Sequence, residues 1–340
     1  MNALVLEGPN RFCYRERVPV PCGPDQVRVK VEAVAICGSD AGAILGKNPL
    51  FTYPRVLGHE AAGTVESVGS RVTGLQPGDR VCLMPCISCG SCRACRRGKP
   101  NCCQSLKLYG VQEDGALQEY LTVPEKNLLK IPFDAPARAI AAIEPLTIGA
   151  HAAGKLHLTP EDRVLVIGAG PIGVSCALNV QTYGAAVYLA DTNEARRNFV
   201  KNRFSLEVLN PMGYDYAKEI AYITQGDNFD AVIDTTAVKA SMDSAWRYIT
   251  QGGQVVYVGI CGSSIALEGL PFHLKEPTLG TTRNSTPEDY QRVLRFWQLG
   301  LLDPGKLVTH TASFQEAAQA IPAWISPGSG VFKGVVQFPK

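Results

Sequence analysis

Between Cys86 and Cys103 the chain reads CISCGSCRACRRGKPNCC, six cysteines in eighteen residues. Each Cys-x-x-Cys turn brings two sulfurs within a few ångströms, so four thiolates can share one tetrahedral zinc. The best-spaced four are Cys89, Cys92, Cys95 and Cys103, although Cys86, Cys89, Cys92 and Cys95 are also acceptably spaced. Four sulfurs leave no open position, which makes such a zinc structural. Upstream lie Cys37 in AICGSD and His59-Glu60 in VLGHEAAG. Thiolate, imidazole and carboxylate are the ligand types of a catalytic zinc that keeps one position for substrate. A lone buried Cys is usually inert, and a lone His is more often a core residue. Their weight here comes from the company they keep.

That company includes a nucleotide fingerprint. Gly168-Ala169-Gly170-Pro171-Ile172-Gly173 follows the apolar run RVLVI and precedes a segment of helical length. Gly168 permits the tight turn, Gly170 lets a pyrophosphate approach the backbone, and Gly173 lets helix and strand pack closely. The helix N-terminus then faces the anion. A second strand, VYLA, ends in Asp191, about twenty residues on, where a carboxylate accepts from the adenosine ribose hydroxyls and repels a 2′-phosphate. No basic residue follows Asp191 directly, so NAD is favoured over NADP; Arg196 and Arg197 lie further on, beside the adenine or simply in solvent.

These residues need two kinds of scaffold. The first 140 or so residues hold short β-rich runs broken by Gly and Pro, such as QVRVKVEAVAI and GDRVCLMP, as in a small irregular barrel. From about Glu144, apolar runs (RVLVIGAG, AAVYLA, SLEVLN, FDAVIDTT, GQVVYVGI) alternate with segments of helical length such as VSCALNVQTYG and SMDSAWRYITQGG. That alternation predicts an α/β fold with a doubly wound parallel sheet. PEDYQRVLRFWQLG predicts a helix opening at Thr286-Pro287, after which GVVQF returns to strand.

At 340 residues, 46% apolar and 19% charged, the chain is long enough for two cores and ordinary in composition. A formal charge of +2 without long basic runs calls for neither nucleic acid nor a charged membrane. No stretch is apolar enough to span a bilayer. The N-terminus lacks the cationic region of a signal peptide, and half of the twelve cysteines crowd into one stretch. Reduced thiols and a cytoplasmic location are the expectation. Cys13, Cys22, Cys82, Cys176 and Cys261 are read as buried or partly buried thiols, and His151, His157, His273 and His310 as structural.

Taken together, CGSD, GHE, the cysteine lobe, GAGPIG and Asp191 resemble the zinc-dependent medium-chain dehydrogenase/reductase family over essentially the whole chain. The branch it looks most like holds sorbitol and other polyol or sugar-acid dehydrogenases. YPRVLGHE, EPLTIGAHA and RNSTPEDY are similar to bacterial enzymes of the L-galactonate 5-dehydrogenase type. The resemblance implies a GroES-like catalytic domain from both chain ends (1–146 and 285–340, with the zinc lobe at about 86–103) and a Rossmann domain over 147–284, the active site lying between them. It implies two zincs, NAD, a small polyol or aldonate such as L-galactonate as substrate, and a homodimer or homotetramer, with the GQVVYVG strand as a sheet edge for pairing.

The same resemblance assigns roles. Cys37 and His59 bind the catalytic zinc, Glu60 and Glu144 both remain candidates for the third ligand, and the family register selects Cys103 over Cys86 in the lobe. Asp40 accepts the His59 ring N–H. Ser39 takes the proton of the substrate hydroxyl. The family often continues that relay through a histidine where this chain has Gly42, so a weaker dependence on a histidine-like pKa near 6.5 is expected. Arg283 and Asn284 face the substrate, and a guanidinium there suits a sugar-acid carboxylate. Two other readings compete: a metal-independent quinone or enoyl reductase, which generally lacks the Cys37/His59/Glu60 set and the lobe, and a non-enzymatic protein using the lobe for interaction.

Overall fold

In QVRVKVEAVA the β-branched valines alternate with charged residues, and the segment forms one long strand, Gln26–Ala35, with Val27, Val29 and Val31 inward. In the computed structural model, which describes residues 1–339, this strand is central to a seven-stranded sheet. It pairs antiparallel with Glu60–Val68 on one side and Gly334–Gln337 on the other, and Tyr120–Pro124 joins at its start. Arg80–Leu83 and Leu128–Lys130 extend the sheet one way, and His310–Ser313 the other. A smaller sheet of Arg11–Glu16, Asn2–Gly8 and Arg55–Val56 adds Leu4 and Leu6 to the same apolar core, where the chain's end contributes Val336 and Phe338. This unit comprises Met1–Glu144 and Thr286–Lys340.

The other unit, Pro145–Ser285, is a six-stranded parallel sheet. Its spatial order is Glu207–Leu209, Ala186–Ala190, Arg163–Ile167, Phe229–Asp234, Ile249–Tyr257, Thr278–Thr281. The first strand in sequence, Arg163–Ile167, thus lies mid-sheet and the order reverses beside it, as in dinucleotide-binding sheets. The hydroxyls of Thr147 and Ser285 lie 2.7 Å apart and tie the two ends of the unit together.

Two expectations are corrected here. Of SMDSAWRYITQGG only residues 241–244, the end of the helix Lys239–Ser244, and a 3-10 turn, Ala245–Tyr248, are helical. ITQGG already belongs to the strand Ile249–Tyr257, because Ile249 pairs with Phe229 and Gly252, at φ +71°, ends any helix. The GQVVYVG strand is also not a sheet edge: Thr278–Thr281 pairs outside it. Four residues containing a glycine carry too little alternation to announce themselves as that strand.

Candidate active site

Two residues beyond the central strand, Cys37 caps the helix Gly38–Ile44, and its N–H donates to Asp40 Oδ2 at 2.9 Å. Ala35 pairs with Glu60, so the start of the neighbouring strand lies beside Cys37. Between the strands the chain turns at Gly58 (φ +98°), where a Cβ would meet Val34 Cγ1 at 2.7 Å and the Leu117 nitrogen at 3.2 Å. Only glycine fits that turn, and the turn delivers His59. The ligand atoms of Cys37, His59 and Glu60 all lie within 4.8 Å of one another.

His59 and Glu60 are buried and Cys37 is partly so. Burial works against a charged imidazole, but Asp40, Cys37 and Glu144 outweigh it and hold the His59 pKa well above the ordinary histidine value. Burial pushes Asp40 up, and the charge of His59 only partly offsets it. The Asp40–His59 hydrogen bond read from the sequence is not formed: Asp40 Oδ1 and His59 Nδ1 are 3.6 Å apart. His59 Nδ1 has no hydrogen-bond partner among the described residues. A thiol, an imidazole and a carboxylate gathered within 4.8 Å of one another, the last two buried, are a donor set that a zinc ion fits. Three donors also leave a fourth position open.

Glu144, in the first turn of the helix Ile143–Ala153, is buried but not one of the three mutually close donors. Burial, then the Glu60 charge, raise its pKa to about 7. One residue in this site escaped the sequence reading. Lys333, from the segment before the last strand, donates to both Glu60 oxygens. Burial would lower its pKa, yet the charge of Glu60 lifts it above the usual lysine value. Its only signal in the sequence is a cation inside the apolar run VFKGVVQF.

The second cluster is local. Cys89, Cys92, Cys95 and Cys103 also have sulfurs within 4.8 Å of one another. The N–H groups of Cys89 and Cys92 donate to the sulfurs of Cys103 and Cys89, both at 3.3 Å. Such bonds favour thiolates: the Cys92 and Ser91 amides hold the Cys89 pKa down at about 5. Cys86 stands outside this quartet, on the short strand Cys86–Ile87.

In the Pro145–Ser285 unit the fingerprint turn has the stereochemistry a pyrophosphate needs. Gly168 has φ +100°, and a Cβ on Gly173 would lie 1.8 Å from the Gly168 carbonyl oxygen. A Cβ on Gly170 would meet nothing within 4 Å, so the turn is open above the N-terminus of the helix Pro171–Gln181, where Ile172 follows Pro171. Asp191 Oδ2 accepts from the Ala169 N–H and Oδ1 from the Asn193 N–H, each at 2.8 Å, and Arg196 Nη1 lies 3.4 Å from Oδ2. Arg197 instead braces the backbone, donating to the Asp191 and Thr192 carbonyls. Arg283 is exposed, and Asn284 adopts φ +52°.

Residues 23–133 match the Alcohol dehydrogenase GroES-like domain family, and residues 171–298 match the Zinc-binding dehydrogenase family. L-galactonate-5-dehydrogenase of Escherichia coli (strain K12) is 36% identical over 339 residues, 99% of each chain. This chain belongs to the zinc-binding dehydrogenases. L-idonate 5-dehydrogenase of Vitis vinifera, in the same family, is 32% identical over 86% of this chain and 82% of its own. Among solved structures, the short chain alcohol dehydrogenase rspB of E. coli CFT073, complexed with cofactor NADH, superposes with a TM-score of 0.92 at 31% identity, covering 99% of both chains. As a zinc-binding dehydrogenase the chain places Ser39 in the first turn of its helix, exposed, two residues past Cys37. No helix of the described residues is long and apolar enough to cross a membrane.

Proposed function

We propose that this enzyme oxidises a secondary hydroxyl of a sugar acid or polyol to a ketone, with NAD taking the hydride. The single observation carrying this is the convergence of Cys37, His59 and Glu60 in a chain alike end to end to L-galactonate-5-dehydrogenase. Cys37, His59 and Glu60 hold one zinc, and Cys89, Cys92, Cys95 and Cys103 hold another. When bound, the first zinc polarises the hydroxyl as a Lewis acid.

The chain's own residues do the rest. The C–H electron pair leaves as hydride for the nicotinamide, and the hydroxyl proton leaves through the Ser39 side chain to solvent. A Cβ at Gly42 would make only ordinary contact, with Asn48 Cβ at 3.6 Å, and with no histidine at that position the relay ends in solvent. Gly168, Gly170 and Gly173 with the helix N-terminus receive the pyrophosphate; Asp191, with Arg196 alongside, receives the ribose. Glu144, near neutrality in pKa, is a buried carboxyl poised beside the metal set rather than in it. Arg283, with Asn284, clamps the carboxylate end of an aldonate.

Thiolate ligation needs reduced sulfur, which supports a cytoplasmic location. The edge strand Thr278–Thr281, with Leu279, Ile260 and Leu270 exposed, supports pairing of copies into a homodimer or homotetramer. An NAD-reduction screen over hexonates, hexitols and pentitols tests the function: turnover of at least one class is expected, and no turnover of any by the fully zinc-loaded protein overturns it. Arg283→Ala is expected to raise KM for aldonates about tenfold or more and to spare neutral polyols; an unchanged KM for both removes Arg283 from the site.

A further inference from the structure

Glu60 has no solvent exposure, and Lys333, itself 3% exposed, donates to its two oxygens at 2.8 and 2.7 Å. The same ammonium reaches the Ile36 carbonyl at 3.3 Å. Sheet topology compels this meeting. Ala35 pairs with Glu60 on one side and Val335 on the other, and the Ile36 N–H donates to the Gly334 carbonyl at 3.0 Å. The residue just before Gly334 therefore emerges beside Glu60 and Cys37. A buried ion pair is a poor way to gain stability, because desolvation cancels much of the attraction. Its value lies in what else uses the carboxylate.

We propose that Lys333 is a positioning residue that competes with the metal for Glu60. The inference rests on the reading of Cys37, His59 and Glu60 as a metal site. Without metal, Lys333 keeps the buried carboxylate paired. With metal, an ammonium hydrogen-bonded to both ligand oxygens competes for their lone pairs and repels the ion. Thiolate and carboxylate alone would neutralise a divalent ion; Lys333 leaves the assembly with a net positive charge. That charge costs zinc affinity and stabilises the negative charge that develops on the substrate oxygen as its proton leaves.

A purely structural brace and a competitor differ in sign, which makes the test decisive. Zinc affinity of the buried site is measured on the full-length protein by chelator competition, with Cys37→Ser reporting the lobe zinc alone. Lys333→Met is expected to bind the buried-site zinc about tenfold more tightly, to release it more slowly, and to lose about tenfold in kcat with a smaller change in KM. Lys333→Arg, which keeps the charge, is expected to return both near the parent values. If Lys333→Met does not fold, Lys333→Gln, which keeps a donor without charge, is read against the same two outcomes. Weaker zinc binding in the neutral variant overturns the competition. A parent protein that holds zinc only in the lobe overturns the site reading itself, and the inference with it.

Discussion

The lobe draws its four donors from residues 89–103, and turns plus N–H···S bonds suffice to gather them. The buried site draws Cys37 and His59-Glu60 from two strand ends and recruits Lys333 from 273 residues beyond Glu60. One cluster is encoded by spacing and the other by the register of a sheet. The lobe is therefore expected to fail alone, whereas the buried site fails whenever the strands around it shift.

The sharpest way to break this contrast is at the donors. Cys37→Ser is expected to lower kcat/KM by about 10³-fold or more, the several kcal/mol a Lewis-acid metal supplies, while losing one zinc of two. Metal analysis beside an NADH assay checks it. Cys92→Ser should do the reverse: one zinc lost, stability reduced by about 3 kcal/mol or more, and turnover of the remaining folded protein largely intact, read by thermal melts and activity at low temperature. Equal losses of activity in the two variants would erase the distinction.

Smaller changes probe the register. Gly58→Ala sets a Cβ against Val34 and the Leu117 amide at a positive φ, and should cost about 2 kcal/mol. Zinc should leave the buried site and not the lobe, which stoichiometry will show. The smallest effect is at Asp114, which accepts from Val56 N–H at 3.0 Å and Arg17 at 2.6 Å and so pins the strand leading to His59. Burial pushes its pKa up, but the Val56 amide and Arg17 outweigh that and hold it below the ordinary carboxylate value. A depressed folded pKa contributes stability present above the unfolded value, about 3.9, and lost as pH falls through the folded one. Asp114→Asn should thus cost about 1 kcal/mol, after allowing for its partial exposure, at neutral pH, and the gap in Tm should close below about pH 4.

The same contrast explains what could be read in advance. GAGPIG and the lobe were legible because glycine turns and Cys-x-x-Cys turns act over a few residues. The alternation in QVRVKVEAVA revealed a strand, and the capped PEDYQRVLRFWQ a helix, Pro287–Gln298. Lys333 was not legible, since its role exists only through two sheet pairings. Nor was the strand Thr278–Thr281, whose identity lies in its partner Gln254–Tyr257. The ITQGG segment misled because a helical window ignored β-branched Ile249 and Thr250 ahead of two glycines. The Asp40–His59 contact, correctly placed by motif, came out as proximity without a hydrogen bond.

The most direct measurement is zinc-edge X-ray absorption on the zinc-loaded Cys92→Ser protein, whose remaining zinc reports the buried site alone. One sulfur at about 2.3 Å with nitrogen and oxygen neighbours at about 2.0–2.2 Å is expected. A sulfur-only shell, or no bound zinc, would contradict a metal held by Cys37, His59 and Glu60.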